Sequence, residues 1–200
     1  MVSKETKYDE RFADVDFTEK YEHEHLKMQR NFAEEYINKL KNRGFHLGRI
    51  LDTGCAFGEM LILLGKAFKD STLTGIDISE NFIYRAEERA IQNELDDRIK
   101  FIKADVKKIP FPNNYFDVVI NTNMMHVVDD PVMMLNEIER VLSSDGIYFL
   151  ADIRKSWISI LEKEIKNAYT VNELRELINK SNLRKGIEQT NLLWWKYESN

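Results

Sequence analysis

Short apolar runs alternate with amphipathic stretches from residue 47 to the end of the chain. Strands are predicted where five to seven mostly apolar residues follow one another, at 49–53, 71–76, 99–103, 116–120 and 147–153. Helices are predicted where apolar residues recur at helical spacing, at 59–68, 80–93, 131–142 and 170–182. Alternation of this kind is typical of right-handed βαβ units, which build a parallel sheet with helices on both faces.

The two ends of the chain complete this prediction. Residues 186–198 indicate two strands with no helix between them, which requires one antiparallel edge strand. The expected fold is therefore a single doubly wound, mostly parallel, seven-stranded Rossmann-like sheet in a domain spanning 47–200. Residues 1–46 are charge-dense and predict an amphipathic helix from Thr18 to Gly44, an N-terminal extension that is a candidate lid.

Composition excludes several classes of protein. One cysteine cannot form a disulfide scaffold, and 43% hydrophobic residues are too many for a disordered chain. The longest apolar runs are far shorter than the roughly 20 residues of a membrane span, and the first residues are polar, so we expect a cytoplasmic protein without a membrane partner. The net charge of −5 disfavours nucleic acid as a partner.

A small-residue loop, 52–58, follows the first predicted strand and leads into a helix. Ligands of open α/β sheets bind at this edge, where Gly54 and Gly58 permit a tight turn and close approach to the backbone. Asp77 ends the next strand, where an acid can accept hydrogen bonds from two ribose hydroxyls, and Ser79 is available as the helix cap. The dinucleotide pattern of three glycines is incomplete, and Glu59 would repel a pyrophosphate.

At these positions the chain resembles the class I S-adenosylmethionine-dependent methyltransferases. The resemblance covers about residues 47–153 and rests on four stretches in family order, 50–58, 75–79, 104–119 and 130–146. The last two are similar to the ubiquinone/menaquinone-biosynthesis group, whose acceptors are small molecules. The chain departs from the family at Ala56, where glycine is usual.

The resemblance implies a cofactor site for S-adenosylmethionine. It would consist of Asp52, Gly54, Ala56, Gly58, Asp77, Ile78, Asp105, Val106, Asn121 and Thr122. Asp77 would hold the ribose, Asp105 the adenine amino group and Asp52 the methionine amino group. The loop would run under the methionine portion, Ile78 and Val106 would flank the adenine, and Asn121 and Thr122 would lie near the methyl group.

Two further residues are candidates on weaker signals. His126 follows the fourth strand and is either a general base or substrate contact, or a structural residue bonded to the next helix. Tyr21 is the best candidate for a lid contact with the ligand. No metal site is expected, because His23 and His25 lie two apart on a helix and face different directions.

The predicted function is methyl transfer to a small-molecule acceptor by a monomer or homodimer. Two alternatives stay open at this point: a non-catalytic module that binds the cofactor and acts as a partner or regulator, and an NAD-type oxidoreductase. The substrate walls are expected in residues 3–43 and 154–169, which carry no recognisable motif.

Overall fold

The computed structural model describes residues 14–155 and 167–200. Within these ranges the chain forms five helices and seven strands: α1 (Val15–Asn42), β1 (Arg49–Thr53), α2 (Glu59–Ala67), β2 (Thr72–Asp77), α3 (Glu80–Gln92), β3 (Ile99–Lys103), β4 (Phe116–Thr122), α4 (Pro131–Val141), β5 (Leu142–Ile153), α5 (Val171–Lys180), β6 (Gly186–Thr190) and β7 (Trp194–Ser199). The predicted α/β alternation is confirmed. Residues 1–13 and 156–166, which belong to the expected substrate walls, lie outside the described residues.

All seven strands form one sheet in the order β3-β2-β1-β4-β5-β7-β6. The pairs from β3 to β5 are parallel, and β7 is antiparallel to both β5 and β6. Chain order reverses between β1 and β4, which is where the fold places a ligand. The doubly wound, mostly parallel sheet with an antiparallel pairing near one edge is thereby confirmed.

Local capping explains most of the helix starts. Ser79 accepts a hydrogen bond from the Phe82 amide at 3.4 Å at the start of α3. Thr170 and Glu173 form a capping box at the start of α5. α1 begins three residues before the predicted start, because Asp14 accepts a hydrogen bond from the Phe17 amide at 3.2 Å.

One predicted boundary differs clearly from the structure. The sequence predicts the last parallel strand at 147–153, with Asp145 and Gly146 as a typical turn pair before it, whereas β5 begins at Leu142. The pairing with β4 then shifts, from Phe116 with Leu142 to Val118 with Ile147. The glycine and its neighbours therefore form an irregular bulge within the strand, which the turn signal alone could not distinguish from a loop.

α1 packs on the same face of the sheet as α2 and α3. Its inward stripe joins the core of that face, with Phe32, Ala33, Tyr36 and Leu40 all buried. The two tryptophans of β7 point to opposite faces of the sheet, because successive strand residues alternate. Trp195 is buried in the other core, and Trp194 meets the Phe32 ring edge-on at 4.8 Å.

The part of α1 from Leu26 to Tyr36 lies at the carboxyl ends of the strands. Tyr36 shares a hydrogen bond of 3.2 Å with the Thr122 hydroxyl at the end of β4. Ten residues earlier in the helix, Leu26 packs against the cluster formed by Ala56, Phe57 and Phe82. Of the helices in residues 14–155 and 167–200, none has both the length and the apolar composition of a bilayer span.

Candidate cofactor site

The loop between β1 and α2 forms a tight turn held against β2. The amides of Gly54 and Cys55 both donate to the Ile76 carbonyl, at 2.8 and 3.0 Å. Gly54 and Ala56 have φ values of 80° and 44°, in the left-handed region. For Ala56 this conformation costs about 1–2 kcal/mol, which explains why glycine is the usual choice.

Asp77 fastens this loop from the end of β2. Its carboxylate accepts from the Ala56 amide at 3.0 Å through one oxygen and from the Ser79 amide at 2.9 Å through the other. Asp77 therefore has a structural role beside the capping hydroxyl of Ser79. Each carboxylate oxygen can accept more than one hydrogen bond, so ribose hydroxyls still have acceptors there.

Asp52 adds a second buried carboxylate at the same edge. The side chains of Asp52 and Asp77 belong to residues only 4% and 9% exposed. Burial raises the pKa of Asp52 to about 7, and the neighbouring Asp77 charge adds to this. Burial likewise raises the pKa of Asp77 to about 6, against the backbone amides that lower it. Two desolvated acids favour a ligand that brings positive charge and hydroxyl donors.

Asn121, near the end of β4, packs on the α4 side of the sheet, where its amide nitrogen lies 3.5 Å from the Met134 sulfur. Asn121 is fully buried and donates to the Thr53 hydroxyl at 2.8 Å. Its Oδ1 atom is buried and has no hydrogen-bond partner among the described residues. The two carboxylates and the tight turn at Gly54 together fit a ligand of the S-adenosylmethionine type.

The two loop glycines make room for different side chains. A Cβ on Gly54 would overlap the sulfur of Met124, which lies over the turn from the segment after β4. A Cβ on Gly58 would lie 2.8 Å from the Phe101 ring and 3.0 Å from the Ala86 methyl group. Gly58 is thus required by packing against α3 and β3, and its expected ligand contact stays a prediction.

The adenine side of the predicted site is more open. Ile78 is 46% exposed at the end of β2, whereas Val106 is buried in the core. Asp105 accepts from the Lys107 amide at 2.8 Å and also lies 3.7 Å from the Lys107 ammonium group. Lys107 therefore brings a cation next to Asp105, the residue expected to accept from the adenine amino group.

His126 is bonded to a carboxylate that sequence analysis did not single out. Its Nδ1 atom lies 2.8 Å from Asp152 at the end of β5, and the other Asp152 oxygen accepts from the Met125 amide at 2.6 Å. Asp152 is fully buried. As a structural residue, His126 is predicted to bond to α4, whereas its hydrogen bond joins it to Asp152 of β5. Asp152 could have been identified in the sequence because, like Asp52 and Asp77, it is an acid near the carboxyl end of a strand.

Tyr21 lies beside the site, within an aromatic group. Its ring stacks on His25 at 3.8 Å and meets Phe82 of α3 at 5.3 Å. Tyr21 therefore anchors α1 against α3, and its ligand contact stays a prediction.

The contacts of Glu59 change the prediction that its charge repels a pyrophosphate. Arg30 of α1 donates to it at 2.6 Å, and Arg89 of α3 donates to its other oxygen. Arg89 also bonds Glu22 of α1, which pairs with Arg85 at 2.7 Å. Repulsion of a pyrophosphate by Glu59 is therefore largely cancelled, and the absent third glycine remains the argument against a dinucleotide. In the described part of the chain, no cluster of three or more His, Cys, Asp or Glu side chains could hold a metal.

Comparison with known proteins agrees with this geometry. The chain is 38% identical over 104 residues to a 27-O-demethylrifamycin SV methyltransferase of Amycolatopsis mediterranei, covering 52% of this chain and 38% of that protein. It is 30% identical to the ubiquinone/menaquinone biosynthesis C-methyltransferase of Rickettsia bellii, covering 68% and 55%. The chain thus spans about half, or less, of these relatives' length.

A solved structure extends the likeness to the whole fold. A candidate S-adenosylmethionine-dependent methyltransferase from Methanococcus maripaludis has a TM-score of 0.79 at 19% identity, covering 97% of this chain and 95% of that one. The sequence profile of the family described as "Methyltransferase domain" matches residues 46–198. With the loop, the paired acids and the sheet order, this match shows that the chain belongs to the methyltransferase domain family.

Proposed function

We propose that the protein transfers a methyl group from S-adenosylmethionine to a small-molecule acceptor. The observation that carries this proposal is the pair of buried carboxylates, Asp52 and Asp77, beside the tight turn at Gly54. When bound, the cofactor supplies a methyl group activated on a positively charged sulfur. The protein's own part is then to bind, orient and exclude water.

Each acid has a separate proposed role. Asp77 accepts from the ribose hydroxyls, Asp52 from the methionine ammonium group, and Asp105 from the adenine amino group. Ile78 offers an apolar face to the adenine and Val106 packs behind it. The backbone of Gly54 and Ala56 follows the methionine portion, toward Asn121 and Thr122 at the end of β4.

Replacing Asp77 with Ala tests the cofactor site. We expect the affinity for S-adenosylmethionine to fall at least about tenfold, because charge-assisted hydrogen bonds to two hydroxyls are lost. Isothermal titration calorimetry measures the change, and Asp70→Asn, at an exposed position, is the control. Unchanged affinity in a folded Asp77→Ala variant would remove Asp77 from the site.

His126 is proposed as the group that takes a proton from the acceptor. The bond from Nδ1 to the buried Asp152 carboxylate fixes the tautomer that carries hydrogen on Nδ1. Nε2 is then the nitrogen that accepts a proton, and Asp152 stabilises the imidazolium that results. This step is required only when the nucleophile still holds a proton as it attacks.

Replacing Asp152 with Asn separates this role from a structural one. Transfer to a protonated acceptor such as a hydroxyl should fall by about 100-fold, in the range of general-base contributions. Transfer to iodide, which carries no proton, should stay within about threefold of the parent rate. The measurement is S-adenosylhomocysteine formation with each nucleophile. Equal losses with both would assign the pair a structural role only.

We further propose that the N-terminal helical segment, 1–46, covers the ligand, and that 47–200 forms the transferase domain. The described part of the segment supports this, since Tyr21 and Leu26 of α1 pack on Phe82 and the loop at Ala56. A binding module without chemistry would bind S-adenosylmethionine but form no S-adenosylhomocysteine with any acceptor. Product formation therefore distinguishes that alternative.

A further inference from the structure

Gln29 is a buried polar residue on the inward face of α1 to which no role has yet been given. The residue is 9% exposed, and its side-chain oxygen Oε1 is buried without a hydrogen-bond partner among the described residues. Most buried polar groups in proteins are paired, because an unsatisfied acceptor loses the water that it bonded in the unfolded chain. A buried amide oxygen without a donor therefore points to a missing ligand.

The helix places this amide over the ligand edge of the sheet. Residues seven apart on a helix share a face, so Gln29 lies about 10 Å above Tyr36 on the same stripe. Tyr36 already reaches Thr122, the last residue of β4. Leu26, one turn beyond Gln29, packs on Ala56 and Phe57. Along the axis of α1, Gln29 therefore lies between Tyr36, which contacts the end of β4, and Leu26, which packs near the cofactor loop.

Charged groups near this part of α1 are already paired with one another. Arg30 and Arg89 are engaged by Glu59, and Arg85 by Glu22. Each of these guanidinium groups has a carboxylate partner and none is hydrogen-bonded to Gln29, although Arg89 Nε is itself buried without a partner among the described residues. The donor for Gln29 is thus expected from the bound molecule.

Resting on the proposed function, we propose that Gln29 binds the methyl acceptor by taking a hydrogen bond from one of its hydroxyl or amino groups. The donors of the cofactor have acceptors in Asp52, Asp77 and Asp105, which leaves the acceptor molecule as the source for Gln29. The acceptor class is therefore a small molecule that carries an O–H or N–H group close to the atom that is methylated.

The test compares Gln29→Leu with Asn38→Leu, which removes an exposed amide from the outer side of the same helix. Three quantities are measured: the melting temperature, the affinity for S-adenosylhomocysteine by calorimetry, and methyl transfer. Transfer is followed with trideuteromethyl S-adenosylmethionine and a small-molecule metabolite extract, as the initial rate of labelled product against extract dilution.

For Gln29→Leu we expect a higher melting temperature, because an unsatisfied polar group is removed, and cofactor affinity within about twofold of the parent. The apparent KM for the labelled acceptor should rise about tenfold, which is the loss of one hydrogen bond. Asn38→Leu should leave the cofactor affinity and the apparent KM unchanged.

Other outcomes overturn the inference in distinguishable ways. An unchanged apparent KM would show that the methyl acceptor does not donate a hydrogen bond to Gln29. A lower melting temperature would show that the Gln29 oxygen is not an unsatisfied buried group. A tenfold loss of S-adenosylhomocysteine affinity at constant KM would assign the donor to the cofactor. Failure of the parent protein to bind S-adenosylhomocysteine, or to form any labelled product, would instead contradict the proposed function itself.

Discussion

Replacing Asp52 with Asn should stabilise the ligand-free protein at pH 8 while it removes most of the affinity for S-adenosylmethionine. Burial raises the pKa of Asp52 to about 7, far above the value near 3.9 of an unfolded chain. The folded state therefore holds this proton more tightly than the unfolded state does. The associated stability is fully present below about pH 4 and is lost as the pH rises to about 7.

At pH 8 the parent protein must bury an ionised carboxylate and the Asn variant need not. Each unit of pKa shift corresponds to about 1.4 kcal/mol, so the variant should gain up to about 4 kcal/mol in free energy of unfolding. The melting temperature should rise by up to about 8–16 °C at pH 8 and by little at pH 4. Thermal unfolding across this pH range gives the result, with exposed Asp70→Asn as the control. Equal melting temperatures at pH 8 would contradict the buried charge.

The same carboxylate links ligand binding to protons. A cationic ligand stabilises the ionised form, so binding by the parent protein should release protons between about pH 6 and 7, and affinity should fall as the pH is lowered. Calorimetry in buffers of different ionisation enthalpy measures that release. The portion due to Asp52 should vanish in Asp52→Asn, whose affinity should be at least about tenfold weaker because a charged partner is lost.

The sheet and its ligand edge could be predicted because their signals are local. Strand periodicity, the turn at Gly54 and the acid at Asp77 can each be recognised within a few residues. Chain topology then brings the ends of β1, β2 and β4 together, so Asp52, Asp77 and Thr122 meet without any information on long-range contacts. The boundaries were less certain, as β5 shows, because a glycine bulge and a turn have the same composition.

The partners of His126, Glu59 and Gln29 could not be predicted, because they depend on packing between distant segments. Asp152 follows His126 by 26 residues and meets it only through the register of β5 beside β4. The sequence shows only that Glu59 is negatively charged. The structure shows that Arg30 and Arg89 approach it from two helices and pair with it. Gln29 has no recognisable motif; its importance comes from the way α1 crosses the sheet.

Replacing Glu59 with Gln should loosen the attachment of α1 to the rest of the protein. The Glu59 side chain is 4% exposed and joins Arg30 of α1 to Arg89 of α3. Removing one partner from a buried ion pair leaves the other charge uncompensated, which typically costs about 3–5 kcal/mol. We expect about 2–3 kcal/mol here, because Arg30 is about half exposed and contributes little. Chemical denaturation measures the loss.

Hydrogen exchange locates the effect and tests the lid. If α1 covers the ligand, amides in residues 16–30 should gain protection when S-adenosylmethionine binds to the parent protein and should exchange faster in Glu59→Gln. The matched control is Glu80→Gln, also at the first position of a helix, whose 79% exposed side chain pairs with Lys103 at 2.8 Å. That change should alter stability by less than about 1 kcal/mol. Protection confined to the loops after the strands, with residues 16–30 indifferent to ligand and to Glu59→Gln alike, would make α1 a packing helix and exclude it as a lid.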